Sequence, residues 1–229
     1  IEANYEEDGN IVPGKIEIIS GEIKNICYGD TKLITEGHFA FQKGDRIALT
    51  GDSGSGKSTF VKMLTKFLHC EGIKINGFDL KMIENRALRN QIFYLDQNSY
   101  LLPFSIKENI TLGNTVPEEK WKRLLQMEFM QKFLESEQGL DMTVYENGAN
   151  LSGGDKQKIM LGRIFLQDPD VIILDESFNA IDEKSGEDII TEILALYADR
   201  IIIIISHSER YLKHCNKRVI IKNKKLMVQ

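Results

Sequence analysis

Four residues separate Gly51 from Gly56, and a lysine and a serine follow at once: Gly51-Asp52-Ser53-Gly54-Ser55-Gly56-Lys57-Ser58, with Thr59 next. Glycine lets a backbone adopt dihedrals that a β-carbon forbids and lets it approach an anion closely, so several N–H groups can be aimed at one polyphosphate. The spacing is that of a phosphate-binding loop. Its flanks agree: Arg46 to Thr50 reads as a short apolar strand running into the loop. Ser58 to Leu68 reads as a helix with Phe60, Leu64, Phe67 and Leu68 on one face. Such a helix turns its free N–H groups and the positive end of its dipole towards bound phosphate. Lys57 is placed to reach β- and γ-phosphate oxygens, and the Ser58 hydroxyl to ligate Mg²⁺.

Two further apolar runs deliver polar groups at their ends. Val171 to Leu174 reads as a strand buried on both faces, as in a parallel sheet, and runs into Asp175-Glu176. Ile201 to Ile205 runs into Ser206-His207. Ligands of open parallel sheets bind at the C-terminal strand edge, where the phosphate loop also lies. Asp175 then suits a Mg²⁺ partner, directly or through water, Glu176 an activator of attacking water, and His207 a γ-phosphate sensor. Alone, an Asp-Glu pair at a strand end would read as the cap and first-turn acid of the next helix.

Leu151-Ser152-Gly153-Gly154-Asp155 forms a second anion site: a hydroxyl and free N–H groups at the start of a helix running from Gly154 to Leu166. One nucleotide needs only one cradle. The second site therefore predicts two copies related by a two-fold axis, each completing the other's ATP pocket.

The elements that must hold these groups follow the same logic. Polar residues 1–14 read as a linker or N-terminal arm. Ile16, Ile18, Ile23 and Ile26, then Phe39 and Phe41, mark strands, and Asn76-Gly77 between short apolar runs predicts a hairpin. These strands predict an antiparallel β layer. Ile92 to Leu95 reads as a strand. Ser105 to Leu112 and Pro117 to Glu137 read as helices, the second with Trp121, Leu124, Leu125, Phe129, Phe133 and Leu134 at helical spacing. A helix from Glu183 to Tyr197 precedes the isoleucine run, and the chain closes with a helix and short strands.

A net charge of −5 without a basic stripe argues against a nucleic-acid partner. Cys27, Cys70 and Cys215 are odd in number and lack metal-ligand spacing, which predicts neither disulfides nor zinc. No apolar run is long enough to span a membrane. The chain opens on Ile1, and the expectation is a piece of a longer polypeptide.

Taken together these motifs resemble the nucleotide-binding domain of ABC (ATP-binding cassette) transporters over nearly the whole chain. Residues 51–58 are similar to the family's Walker A and Val171 to Asp175 to its Walker B, with Glu176 as catalytic glutamate. Leu151 to Asp155 resembles the signature, Gln97 the Q-loop glutamine and His207 the switch histidine. Asn179 to Asp182 resembles the D-loop, and Tyr28 the aromatic that stacks on adenine. The resemblance implies a P-loop NTPase α/β fold with a mainly parallel sheet, an antiparallel β layer and an inserted helical subdomain near residues 98–166, the ATPase domain spanning 15–229. It implies ATP binding by Tyr28, Gly51 to Thr59, Gln97 and Ser152 to Gly154, and Mg²⁺ held by Ser58, Gln97 and Asp175. Lys57, Glu176 and His207 are the implied catalytic groups.

The implied partners are a second such domain and transmembrane domains, fused or associated, at the cytoplasmic face of a membrane. Leu101 to Ile110 resembles the exporter stretch on which membrane helices dock, so an exporter's C-terminal domain is expected. An importer subunit, or an ABC ATPase acting on nucleic acid or ribosomes, is the alternative. The sequence departs from the family at Asp155, where Gln is usual, and at Asp96, where exporters commonly have Pro. Glu146-Asn147-Gly148 matches only in part the stretch many exporters carry before the signature.

Overall fold

The computed structural model describes residues 8–28, 31–97, 100–135 and 139–229. In chain order the elements are β1 (Ile18–Tyr28), β2 (Thr31–Gln42), β3 (Arg46–Gly51), α1 (Lys57–Leu64), β4 (Ile73–Ile75), β5 (Phe78–Asp79), α2 (Asn85–Gln91) and β6 (Ile92–Leu95). Then come α3 (Ile106–Thr111), α4 (Glu118–Gln126), α5 (Glu128–Leu134), α6 (Gly153–Gln167), β7 (Val171–Asp175), α7 (Glu183–Leu196), β8 (Ile201–Ile205), α8 (Glu209–Leu212), β9 (Lys217–Lys222) and β10 (Lys225–Val228).

The chain divides into two compact units. The first takes in residues up to Tyr94, Pro169–Asp175 and Tyr197–Gln229; the second takes in Leu95–Asp168 and Glu176–Leu196. All strands belong to one sheet in the order β5-β4-β1-β2-β10-β9-β3-β8-β7-β6. The strands β9, β3, β8 and β7 pair in parallel with one another, whereas β1 pairs antiparallel with β2 and β4. The antiparallel strands join the parallel ones through β10, which pairs with β2 in parallel and with β9 antiparallel.

Uninterrupted β-branched runs explain the parallel strands. Every residue of β7 and β8 is buried, so both faces need apolar side chains. Alternation serves β1 and β2, whose Ile19, Ile23, Phe39 and Phe41 point to the core of the first unit. There Phe60 of α1 meets Phe39 edge-on with ring centroids 5.1 Å apart. The expected hairpin is present: Asn76 and Gly77 both take positive φ, 51° and 85°, between antiparallel β4 and β5.

Two helix expectations change. The helix after the phosphate loop stops at Leu64 rather than Leu68. The Thr65 hydroxyl turns back on the Val61 carbonyl at 3.0 Å, and Lys66 enters the left-handed region at φ 63°, which leaves Phe67 exposed. The helix expected from Pro117 to Glu137 is two, because Met127 is extended (φ −68°, ψ 133°). The break lets Leu124 and the pair Phe129–Met130 be buried from differently directed segments, an arrangement a single 3.6-residue period does not provide. Residues 8–14 of the expected arm lie in the first unit, hydrogen-bonded to its 82–84 stretch. The Asn10 and Ile11 amides donate to the Met82 carbonyl, and Ile11 accepts from Glu84 N at 2.9 Å.

In the second unit α6 packs with α3 and α4. Phe129 and Phe165 pack with ring centroids 5.8 Å apart at a 40° tilt, and Arg163 Nε donates to the Asn109 carbonyl at 2.9 Å. Burial pushes the Arg163 pKa down to about 10, still well above neutrality. Trp121 is half-buried and carries Lys107 over its ring.

Candidate functional site: a phosphate cradle and a second helix N-terminus

In the first unit, register decides where the polar groups emerge. Ala48 of β3 lies opposite Ile204 of β8, and Asp175 of β7 lies opposite Ile205. The three parallel strands therefore end at one edge, with the loop after β3, Asp175 closing β7 and His207 two residues beyond β8.

The loop has the backbone of an anion cradle. Gly51, Gly54 and Gly56 take φ 148°, 74° and 106°, and Gly56 is the left-handed N-cap of α1. A Cβ on Gly51 would lie 2.4 Å from the Ile221 carbonyl oxygen, so only glycine fits. Asp52 and Ser53 are exposed, and Ser55 N donates to the Asp52 carbonyl at 3.1 Å. The Lys57 ammonium lies back on the loop, donating to the carbonyls of Gly51 at 2.7 Å and Asp52 at 3.1 Å. Ser55 Oγ is buried without a hydrogen-bond partner among the described residues, and a phosphate oxygen would accept its hydrogen. Thr59 is half-buried on α1.

Asp175 is 4% exposed and accepts on one oxygen from Ser58 Oγ and from Tyr94 OH, each at 3.3 Å. Two hard oxygen donors thus meet at the foot of the cradle. Among the described residues no group of three His, Cys, Asp or Glu could hold a metal unaided. That donor set fits Mg²⁺, which takes one or two protein oxygens and completes its shell with phosphate and water.

In the second unit, Ser152 is the N-cap of α6 and Gly153 and Gly154 form its first turn. Ser152 Oγ accepts from Asp155 N at 3.1 Å and donates to the Asp155 carboxylate at 2.7 Å. Glu176 is buried at 7% exposure and sits at φ 51°, a left-handed conformation that costs a non-glycine residue about 1 kcal/mol or more. Gln97 is exposed in the turn after β6. Asp182 caps α7: Ser185 N donates to it at 3.0 Å, and the Ser185 amide and hydroxyl hold its carboxyl below the usual carboxylate range.

A family profile described as ABC transporter matches residues 34–179. The chain belongs to the ABC transporter family. As a member it is an ABC-type ATPase domain. Two relatives named as multidrug export ATP-binding/permease proteins, from Staphylococcus aureus strains bovine RF122 / ET3-1 and NCTC 8325 / PS 47, are each 34% identical over 97% of this chain and 40% of their own length. A solved bacterial Atm1-family ABC exporter with ATP bound is similar over 97% of this chain and 40% of its own, with a TM-score of 0.86 and 25% identity. The chain thus spans about two fifths of the length of these relatives. No helix among the described residues is long and apolar enough to cross a membrane.

Within this ABC domain, Tyr28 ends β1 opposite Thr31, but its side chain lies outside the described residues. Two residues that sequence reasoning left out touch the site. Tyr94 reads only as a strand residue, and its hydroxyl reaches Asp175 because β6 lies beside β7. Gln157 reads as an ordinary helix residue, yet its side chain accepts from Ala180 N at 2.9 Å. A polar residue in an otherwise buried strand was the one available signal for the first; the second left none.

Proposed function

We propose that this chain is the ATP-driven half of an exporter, hydrolysing ATP with Mg²⁺ in pockets that two copies build together. The observation that carries the reading is the shared edge of β3, β7 and β8, where a glycine cradle, a metal-suited Ser58–Asp175 pair and His207 all emerge.

The chain's own residues divide the work. The amides of the loop from Gly51 to Thr59 would hold the phosphates. Lys57 would leave the Gly51 and Asp52 carbonyls for phosphate oxygens, exchanging neutral acceptors for charged ones at little reorganisation. Ser58, Asp175 and Gln97 are the metal-side groups, and bound Mg²⁺ would neutralise charge on the phosphate oxygens. Glu176 takes the proton of attacking water, and His207 donates to the γ-phosphate. Tyr28 would stack on the base. Ser152, Gly153 and Gly154 of the partner copy close the pocket with a hydroxyl and amides preorganised by α6. Binding would draw the two copies together and hydrolysis would release them. The exporter reading is supported by the fused ATP-binding/permease character in the names of the relatives. Transmembrane domains at whose cytoplasmic face it works would be its partners, and residues 15–229 its ATPase domain with the helical insertion near 98–166.

Glu176→Gln is expected to abolish ATP hydrolysis while leaving ATP-dependent pairing measurable by sedimentation. Wild-type turnover in that variant would sink the glutamate's role; a chain that never pairs with ATP present would sink the shared pocket.

A further inference from the structure

We propose that Gln157 is a positioning residue that ties the Asn179–Asp182 segment to the first turns of α6, so that both are presented to a partner copy as one surface. The presentation to a partner rests on the shared-pocket reading above; the tie itself does not.

Three contacts within the second unit make the tie. Gln157 Oε1 accepts from the Ala180 amide at 2.9 Å. A Cβ on Gly154 would stand 2.9 Å from the Ala180 carbonyl oxygen, and one on Gly153 would stand 3.0 Å from Ala180 Cβ. The glycines of the signature are therefore needed for close approach of another backbone segment as well as for any anion. Asn179 and Ala180 are exposed, so the segment has little buried surface to hold it, whereas Ile181 is buried and Asp182 is fixed as the cap of α7. Gln157 supplies a directional restraint between those anchors.

The restraint reaches the catalytic carboxylate. Asn179 N donates to the Glu176 carbonyl at 3.4 Å, and Ile181 N to the Phe178 carbonyl at 3.1 Å, so Ala180 sits in the turn that begins at Glu176. Glu176 itself is held at φ 51°, a conformation that persists only where its surroundings over-determine it. With Gln157 unable to accept, the Ala180 amide would turn to water at small cost in stability, because that residue is exposed. The geometry of the Glu176 turn, rather than the fold, is what would be lost.

Gln157→Met keeps length but removes the acceptor; Gln157→Glu keeps an acceptor. In the Met variant kcat for ATP is expected to fall about tenfold with KM within about twofold of wild type, as for a loss of positioning. In the Glu variant most of kcat returns. Hydrogen–deuterium exchange of peptides covering 177–183 should speed up in the Met variant and not in the Glu variant, with thermal midpoints little changed. A Met variant with wild-type kcat and exchange would overturn the tie, as would a Glu variant as impaired as Met. Should the Met variant fail to fold, unprotected exchange at Ala180 in the wild-type chain would overturn it alone, and protection would support it. Pairing of the Glu176→Gln chain, measured beside these, separates the two ideas: absent pairing removes the shared pocket, whereas intact pairing with a silent Met variant removes only the Gln157 tie.

Discussion

Replacing Asp155 with Asn should make ATP-dependent pairing tighter. The Ser152 hydroxyl has one hydrogen, and in this chain it goes to the Asp155 carboxylate at 2.7 Å. A partner's terminal phosphate would have to take that hydrogen away and accept a like charge nearby. A phosphate oxygen bonded to Ser152 Oγ at about 2.7 Å would lie up to roughly 5 Å from the carboxylate. One pair of unit charges at that distance repels by about 3 kcal/mol at an effective dielectric of about 20, and by about 0.8 kcal/mol in water. For a solvent-facing helix end the lower part of that range applies, about 1 kcal/mol per pocket, or roughly fivefold in affinity. Two pockets per pair give about 25-fold. The acid also favours the helix dipole, so the variant should lose about 0.5 kcal/mol of stability while pairing better. The assay is sedimentation of the Glu176→Gln chain, with and without Asp155→Asn, over a range of ATP concentrations at low and high salt. The advantage should shrink at about 1 M salt, where charges are screened within about 3 Å. Equal or weaker pairing at low salt would show that the carboxylate does not compete with phosphate.

Gly51→Ala should lose nucleotide binding and about 2 kcal/mol or more of stability, since its Cβ would press to 2.4 Å from a backbone oxygen; fluorescent-nucleotide titration and thermal melts check this. Asp170→Ala should cost about 3 kcal/mol in denaturant unfolding, because Arg200 would lose its buried partner and Ile16 N its acceptor at 3.0 Å. Burial pushes the Cys70 and Cys215 thiols up to about 11, so both should resist alkylation at pH 8 and react only on unfolding. As their folded pKa values exceed the unfolded ones, their contribution is present below pH about 9 and is lost as pH rises towards 11.

Local chemistry was fully legible in the residues. The glycine spacing of 51–58, the Asn76-Gly77 turn and the isoleucine runs each specify a backbone through forces acting within a few residues, so the long strands, the cradle and the starts of α1, α6 and α7 could be read directly. Ser105 and Glu108, which form a reciprocal cap at the start of α3, obey the same short-range rule. Periodicity overran at Lys66 and at Met127, where the apolar pattern continues but the backbone does not, since burial of particular side chains outweighs weak helical propensity.

What the sequence determined by itself was the set of chemical groups and the strand or helix end that carries each. Tertiary structure alone decided which of them meet. Ser58 and Tyr94 reach Asp175 across 117 and 81 residues of chain because of sheet order and register, and Gln157 reaches Ala180 across 23 because a helix and a turn are pressed together at two glycines. Such contacts arise from packing of whole elements, and no spacing within a single segment encodes them.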